Sequence, residues 1–256
     1  MTATGSAELR DEYELRYGDS GEESRRYEAW RQLGAEGKAD HVATLIRALP
    51  APPGAIVDVG CGDGVVLAEL AARGVGSRRH GFDISERAAA LAAGRPEVHR
   101  AERFDGRSLP VTDGEYDLAL LSHVLEHVPD PLPLLREAGR AAAAVVVEVP
   151  LEDNRSATRP AAQRGRDHVG HLHRFDRDAV RALAAAADMD VAAEVADPLP
   201  WRAHAFFATG LRGRALALAK AGLRRAIFRA SPAAAERAFT VHFACLCVPR
   251  GVRART

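Results

Sequence analysis

Gly60, Gly62 and Gly64 stand at alternate positions, with a carboxylate just before them at Asp58 and another at Asp83, nineteen residues past the last glycine. The apolar run Ile56, Val57, Val59 leads into these glycines and the helical pattern Val65–Leu70 leads out of them. A turn built this way allows close backbone approach and presents N–H groups at a helix N-terminus to a ligand. A dinucleotide fingerprint starting at Gly60 would need glycine where Val65 stands, and a phosphate loop would need a Lys-Ser/Thr pair that is absent. Asp83 ends Arg79-His80-Gly81-Phe82, which reads as a second strand, where open α/β sheets place a carboxylate for ribose hydroxyls. Five histidines, His123, His127, His168, His171 and His173, fall in two short stretches. Such imidazoles suit proton removal from a hydroxyl, whereas an amine needs only a site that lets it lose its proton before attack. His123-x-x-Glu126-His127 also has H-x-x-E-H spacing, formally that of a metal site.

The elements that must hold these groups read as alternating strands and helices. Residues 36–49 predict a helix with Val42, Leu45, Ile46 and Leu49 on one face, stopped by Pro50, Pro52, Pro53 and Gly54. Strands follow at 55–59, 79–83, about 98–101, 116–121, 144–149 and 189–195, and a last alternating strand at 239–248. Ser85, Asp130 and Asp176 read as N-caps, with Pro131 at a first helical position and Phe175 able to staple onto Val180. Residues 150–167 read as a polar, Arg-rich loop at the carboxyl edge of the sheet.

The pattern Asp58-x-Gly60-x-Gly62-x-Gly64 resembles motif I of the class I S-adenosylmethionine-dependent methyltransferases. That resemblance implies a Rossmann-like α/β fold: a seven-stranded, mostly parallel sheet with an antiparallel last strand, an N-terminal helical lid, and a helical insertion before the last strand. It implies S-adenosylmethionine as cofactor, held by Asp58, Gly60, Gly62, Gly64, Asp83, Ile84, Asp105, Gly106 and Ser122. Asp105 would take the adenine amino group, with Glu102 as the alternative. The loop Ser122–Pro131 resembles the small-molecule methyltransferases, including the quinone-biosynthesis O-methyltransferases, and lacks the Asn/Asp-Pro-Pro-Tyr/Phe loop of enzymes that methylate exocyclic amines. His123, His127 and His171 are the candidate catalytic residues. Tyr17, Trp30, His168 and His173 are candidates for the lid and acceptor site. Some relatives bind a divalent ion through E-x-x-E-H. Here His123 replaces the first glutamate, and the expectation is no metal, with Glu126 and His127 pinning two loops together.

Composition sets the remaining bounds. A chain of 256 residues with 47% hydrophobic content can fill one large domain, and 35 basic against 35 acidic residues give no field that would draw nucleic acid. Three scattered cysteines and no long apolar span fit a protein of the reducing cytoplasm. We expect a segment over 1–35, rich in aromatics (Tyr13, Tyr17, Tyr27, Trp30), that reads equally as an amphipathic helix covering the sheet and as a lid, and a methyltransferase domain over 36–256 with a cap at 198–237. Residues 201–230 hold seven Lys/Arg and no acid, with Leu211, Ala215, Leu218, Leu223 and Ile227 roughly on one face. This reads as a packed amphipathic cap, or as a docking face for an anionic or carrier-bound substrate. The expected activity is methyl transfer to a small-molecule hydroxyl, in a secondary metabolite or quinone-like compound, by a monomer or homodimer. N- or C-methylation, an RNA or protein acceptor, and a silent binding module are the alternatives.

Overall fold

Short, continuous apolar runs become the centre of the sheet, because a parallel strand covered by helices on both faces needs apolar residues in every position. The computed structural model describes residues 11, 13–15, 17, 22–206 and 208–251, of which 22–24 and 166–168 are described for backbone alone. Helix α1 (Glu22–Leu45) and a 3-10 turn lead into β1 (Ala55–Val59), α2 (Val65–Ala72), β2 (Arg78–Asp83), α3 (Glu86–Ala93) and β3 (Arg100–Arg103). Next come β4 (Leu118–Ser122), α4 (Pro131–Ala141), β5 (Val145–Leu151), α5 (Pro160–Val169), α6 (Arg177–Ala186) and β6 (Met189–Pro198). Three helices, α7 (Trp201–Phe206), α8 (Gly210–Ala230) and α9 (Pro232–Ala238), precede β7 (Val241–Pro249). The sheet order is β3-β2-β1-β4-β5-β7-β6. All pairs are parallel except those of β7, which runs antiparallel to both β5 and β6. This is the expected Rossmann-like sheet. Its order reverses between β1 and β4, where open α/β sheets bind ligands beyond the strand carboxyl ends.

Alternation along the strands sorts side chains between two cores. Val57, Val59, Leu121, Val145, Val147, Phe243 and Cys245 pack with Leu134, Leu135 and Val180 of α4 and α6. Ile56, Leu118, Leu120, Val146, Ala244 and Leu246 pack with Val42, Leu45, Leu67 and Leu70 of α1 and α2. The same parity acts on polar residues. Ser122 lies opposite Glu148, Glu148 opposite Ala244, and Pro150 opposite His242. Asp58, Ser122, Glu148 and His242 therefore fall on the α1 side of the sheet, near its functional edge. The caps form as expected: Ser85 accepts from Ala88 N, Asp130 from Leu132 N and Asp176 from Ala179 N.

Three elements depart from the sequence reading. The helix expected from 36 begins at Glu22, so the aromatic residues Tyr27 and Trp30 belong to the helix that covers the sheet. Within the expected polar loop, Pro160–Val169 is helical. A proline at the first helical position starts it, and its polar composition concealed it. Along α8, Leu211, Leu218 and Leu223 are exposed, and the helix packs instead through the small residues Ala217 and Ala221. Alanines allow closer approach to α7 and β6 than leucines would, so the expected leucine face is turned outward. No described helix is long and apolar enough to cross a membrane.

Candidate active site

The glycine turn is spliced to β2. Gly60 N and Cys61 N both donate to Phe82 O, and Gly62 N donates to Asp83 Oδ2 at 2.8 Å. Gly60 and Gly62 have φ of 81° and 56°, in the left-handed region. A Cβ at Gly60 would stand 2.5 Å from Val124, and one at Gly62 would stand 2.5 Å from the Tyr17 hydroxyl. Gly64 caps α2, also with positive φ. The second Asp83 oxygen accepts from Ser85 N. Burial raises Asp83 to about 6, despite its hydrogen bonds from Ser85 and Gly62. Burial raises Asp58 to about 7, only partly opposed by Lys38. The turn is thus flanked by two buried carboxylates whose charge a cationic ligand would favour.

A cavity of about 1310 Å³ opens over this turn. Single-ligand pockets hold roughly 300–1000 Å³, so this one has room for two small molecules. Asp58, Gly60, Gly62, Asp83, Ile84, Asp105, Gly106 and Ser122 all line it, as do Tyr17, Trp30, His123, His127 and His171. Of the candidates, Gly64 lies behind the wall as a helix cap. Asp105 Oδ1 accepts from the Arg107 and Ser108 amides, while Glu102 is on β3, paired with Arg100 away from the cavity. His173 Nε2 meets Val128 O at 2.9 Å and so ties the two histidine loops together. The His168 side chain lies outside the described residues. From above, Tyr13 stands edge-on to His127, Arg31 stacks between Tyr17 and Tyr27 while bonding Asp63, and Trp30 packs on Phe206 of α7.

The histidines separate into two groups around buried acids. Leu172 N and His173 N both donate to the Glu126 carbonyl, bringing the loops together. His171 Nδ1 is 2.8 Å from Glu152 Oε2, and His127 Nδ1 bonds Gly170 O. The His127 and His171 rings meet edge to face at 4.7 Å. Burial pushes His127 down to about 4. Burial would raise Glu126, but the neighbouring His123 outweighs it and takes the carboxyl down to about 2. Glu126, His127 and His171 place one ligand atom each within 4.8 Å of one another, so they can hold a cation, His171 being the third ligand the spacing alone did not reveal.

The second group surrounds Glu148, which has no exposed surface. His41 Nδ1 of α1 is 3.2 Å from its Oε1, Ser122 Oγ donates to its Oε2 at 3.1 Å, and His123 Nε2 is 3.7 Å from Oε1. The other nitrogen of His41 meets Asp197. Burial opposes protonation of His41, yet Asp197 and Glu148 raise it to about 10. Burial and Lys38 oppose protonation of His123 too, and Glu126 and Glu148 outweigh them. Glu148, His41, His242 and Glu152 had no assigned role in the sequence. The available signal was a lone glutamate inside the apolar run Val145–Val149.

Comparison with known proteins places this geometry. A family model described as a methyltransferase domain matches residues 27–194. The ubiquinone biosynthesis O-methyltransferase of Bordetella parapertussis is 32% identical over 90 residues, which are 32% of this chain and 35% of that protein. Its counterpart in Acinetobacter baumannii is 33% identical over 89 residues, 32% of this chain and 36% of that protein. The matched stretch thus spans about a third of these relatives. Among solved structures, geranyl diphosphate C-methyltransferase from Streptomyces coelicolor, bound to Mg2+, geranyl diphosphate and S-adenosyl-L-homocysteine, has a TM-score of 0.58 at 17% identity, covering 83% of this chain and 76% of that one. Magnesium protoporphyrin IX methyltransferase from Synechocystis, with bound S-adenosylhomocysteine, has a TM-score of 0.55 at 15% identity, covering 96% and 99%. At such identities these two structures show the shared fold.

Glu148 is the site group whose loss should be felt throughout the domain. Glu148→Ala leaves buried imidazoles without their counter-charge and should cost on the order of 3–5 kcal/mol in urea unfolding. The exposed pair Arg100–Glu102 should contribute less than about 1 kcal/mol. Equal effects of Glu148→Ala and Glu102→Ala would contradict this assignment.

Proposed function

Since this chain belongs to the methyltransferase-domain family and takes S-adenosylmethionine as its cofactor, we propose that it methylates a hydroxyl of a small molecule, a quinone-like or other secondary metabolite, with His171 as the base. The observation that carries this reading is the His171–Glu152 pair at 2.8 Å, standing on the wall of the cavity that also contains the glycine turn. Glu152 holds Nδ1, which leaves Nε2 to take a proton, the arrangement of an oriented general base. Three buried, free thiols, of which Cys245 and Cys247 have sulfurs 3.7 Å apart without a disulfide, support the reading of a reducing cytoplasm.

The donor's methyl is already activated by its sulfonium, so the protein needs to align the acceptor, exclude water and remove one proton. Asp83 would accept from the ribose hydroxyls, Asp105 from the adenine amino group, and Asp58 would answer the charge of the cationic methionine end. Bound there, the donor would supply an electrophilic methyl group and carry away the C–S electron pair as a thioether, and His171 Nε2 would take the proton of the acceptor hydroxyl. Glu152 stabilises the resulting imidazolium, which then returns its proton to water. The N-terminal aromatics and α7 roof the cavity and keep water from the reacting atoms.

Two measurements test this. Calorimetry with S-adenosylhomocysteine should give one site, with affinity highest above about pH 7. Because Asp58 and Asp83 are raised to about 7 and about 6, they lose their charge as the pH falls through those values, and affinity should drop at least about tenfold by pH 5. Asp83→Asn should weaken binding by about 1–3 kcal/mol. Affinity that is flat from pH 5 to 8 would contradict the carboxylate assignment. With the acceptor trapped from cell extract by methyl-labelled donor, His171→Ala should lower kcat by at least about a hundredfold at little cost in donor affinity, and Glu152→Gln should lower it by less. Losses under about tenfold for both would point to an amine or an already acidic acceptor, with catalysis by positioning alone.

A further inference from the structure

His123 is one of two non-glycine residues with positive φ among the described residues, at 59° directly after β4. For a histidine this left-handed backbone is uncommon and has a conformational cost, so surrounding contacts must enforce it. Its amide donates to the Glu148 carbonyl, and the turn sets the ring between two buried acids. Nδ1 lies 3.3 Å from Glu126 Oε1, while Nε2 faces Glu148 and is buried without a hydrogen bond. From β7, His242 brings a second imidazole, 4.9 Å between ring centroids, and its side chain makes no hydrogen bond among the described residues. His123, Glu148 and His242 each offer a ligand atom within 4.8 Å of the other two.

We infer that His123, Glu148 and His242 form a binding site for a divalent transition-metal ion, zinc being the best match for two imidazoles and one carboxylate. Zinc takes such ligands at about 2.0–2.2 Å in tetrahedral geometry, which brings donor atoms to about 3.5 Å apart, a contraction that side-chain rotation supplies. The surrounding contacts are those that orient metal ligands. A carboxylate stands at His123 Nδ1 and leaves Nε2 to coordinate, and Ser122 and His41 hold the Glu148 oxygens. His123 and His242 line the cavity, so the fourth position opens toward it, as in zinc sites that bind a water or a substrate atom. The ions that would use this site need N/O ligands of intermediate softness, unlike Mg2+ or Ca2+, which prefer all-oxygen sets. This site stands independently of whether the acceptor is a hydroxyl. The adjoining Glu126–His127–His171 group is its natural competitor, because it also offers two imidazoles and one carboxylate.

The test is zinc titration of the chelator-stripped full chain, followed by calorimetry and by metal analysis after dialysis. The wild type should retain one zinc per chain with micromolar or tighter affinity. His242→Ala should weaken it at least about a hundredfold, and Ser122→Ala, which loosens Glu148 without removing a ligand, about tenfold or more. His171→Ala should leave zinc affinity within about threefold. Should His242→Ala fail to fold, Ser122→Ala and His171→Ala carry the comparison. No retained zinc in the wild type would overturn the inference, leaving an ion pair of His123 with its two acids. Loss of zinc in His171→Ala with retention in Ser122→Ala would place the ion at the neighbouring group and overturn it as well.

Discussion

A carboxylate with no access to water sits in the middle of a seven-stranded sheet, and its charge must be answered from within the protein. Glu148 can be ionised there only because three elements converge on it: His41 from α1, Ser122 from the end of β4, and His123 from the turn beyond. An unpaired buried charge costs several kcal/mol even after relaxation, so this convergence restricts how α1 can lie on the sheet. With α1 fixed by His41, Arg31 of the same helix reaches Asp63 in the glycine turn, and Trp30 meets Phe206 of α7. The roof of the cavity is therefore coupled to its floor through one helix and one buried acid.

The cavity's chemistry follows from the same arrangement. Its walls concentrate carboxylates, Asp58 and Asp83 at the turn and Glu126 and Glu148 behind the histidines, in surroundings that make charge costly without a partner. A ligand with a sulfonium and an ammonium group supplies positive charge to such walls, and a neutral nucleoside would not. The imidazoles are set to different tasks by what holds their other nitrogen. His171 is oriented by Glu152 and His127 by a backbone carbonyl. His123 is held between two acids and faces His242. Histidines that look equivalent by position, His123, His127, His171 and His173 among the described residues, are thus separated by their partners.

That separation marks the limit of what the chain discloses when read linearly. The glycine turn, Asp83 and the three Ser/Asp caps depend on contacts within a few residues or on one strand-to-strand register, and all were legible. Asp105 stands on the cavity wall and Glu102 does not. Glu148 was hidden because a glutamate in Val145–Leu151 reads as one polar position in a buried strand, and its partners lie up to 107 residues away. His242 acquires its neighbours only when β7 inserts antiparallel beside β5. A helix over the aromatic segment was one of two readings, but its continuity with the helix from 36 was missed because the segment from Glu22 is strongly polar. The leucines of α8 were misplaced because helical periodicity reveals a face but not which face is buried.

The central claim is that donor and base share one cavity, with the donor's ribose on Asp83 and its sulfur toward the His171–Glu152 pair. A crystal structure of the complex with S-adenosylhomocysteine tests it most directly. The account predicts both ribose hydroxyls within hydrogen-bonding distance of the Asp83 carboxylate, below about 3.2 Å, with the sulfur on the side of the cavity lined by His171. A ligand whose ribose lies away from Asp83, or whose sulfur faces away from His171 with the space between them closed, would contradict it.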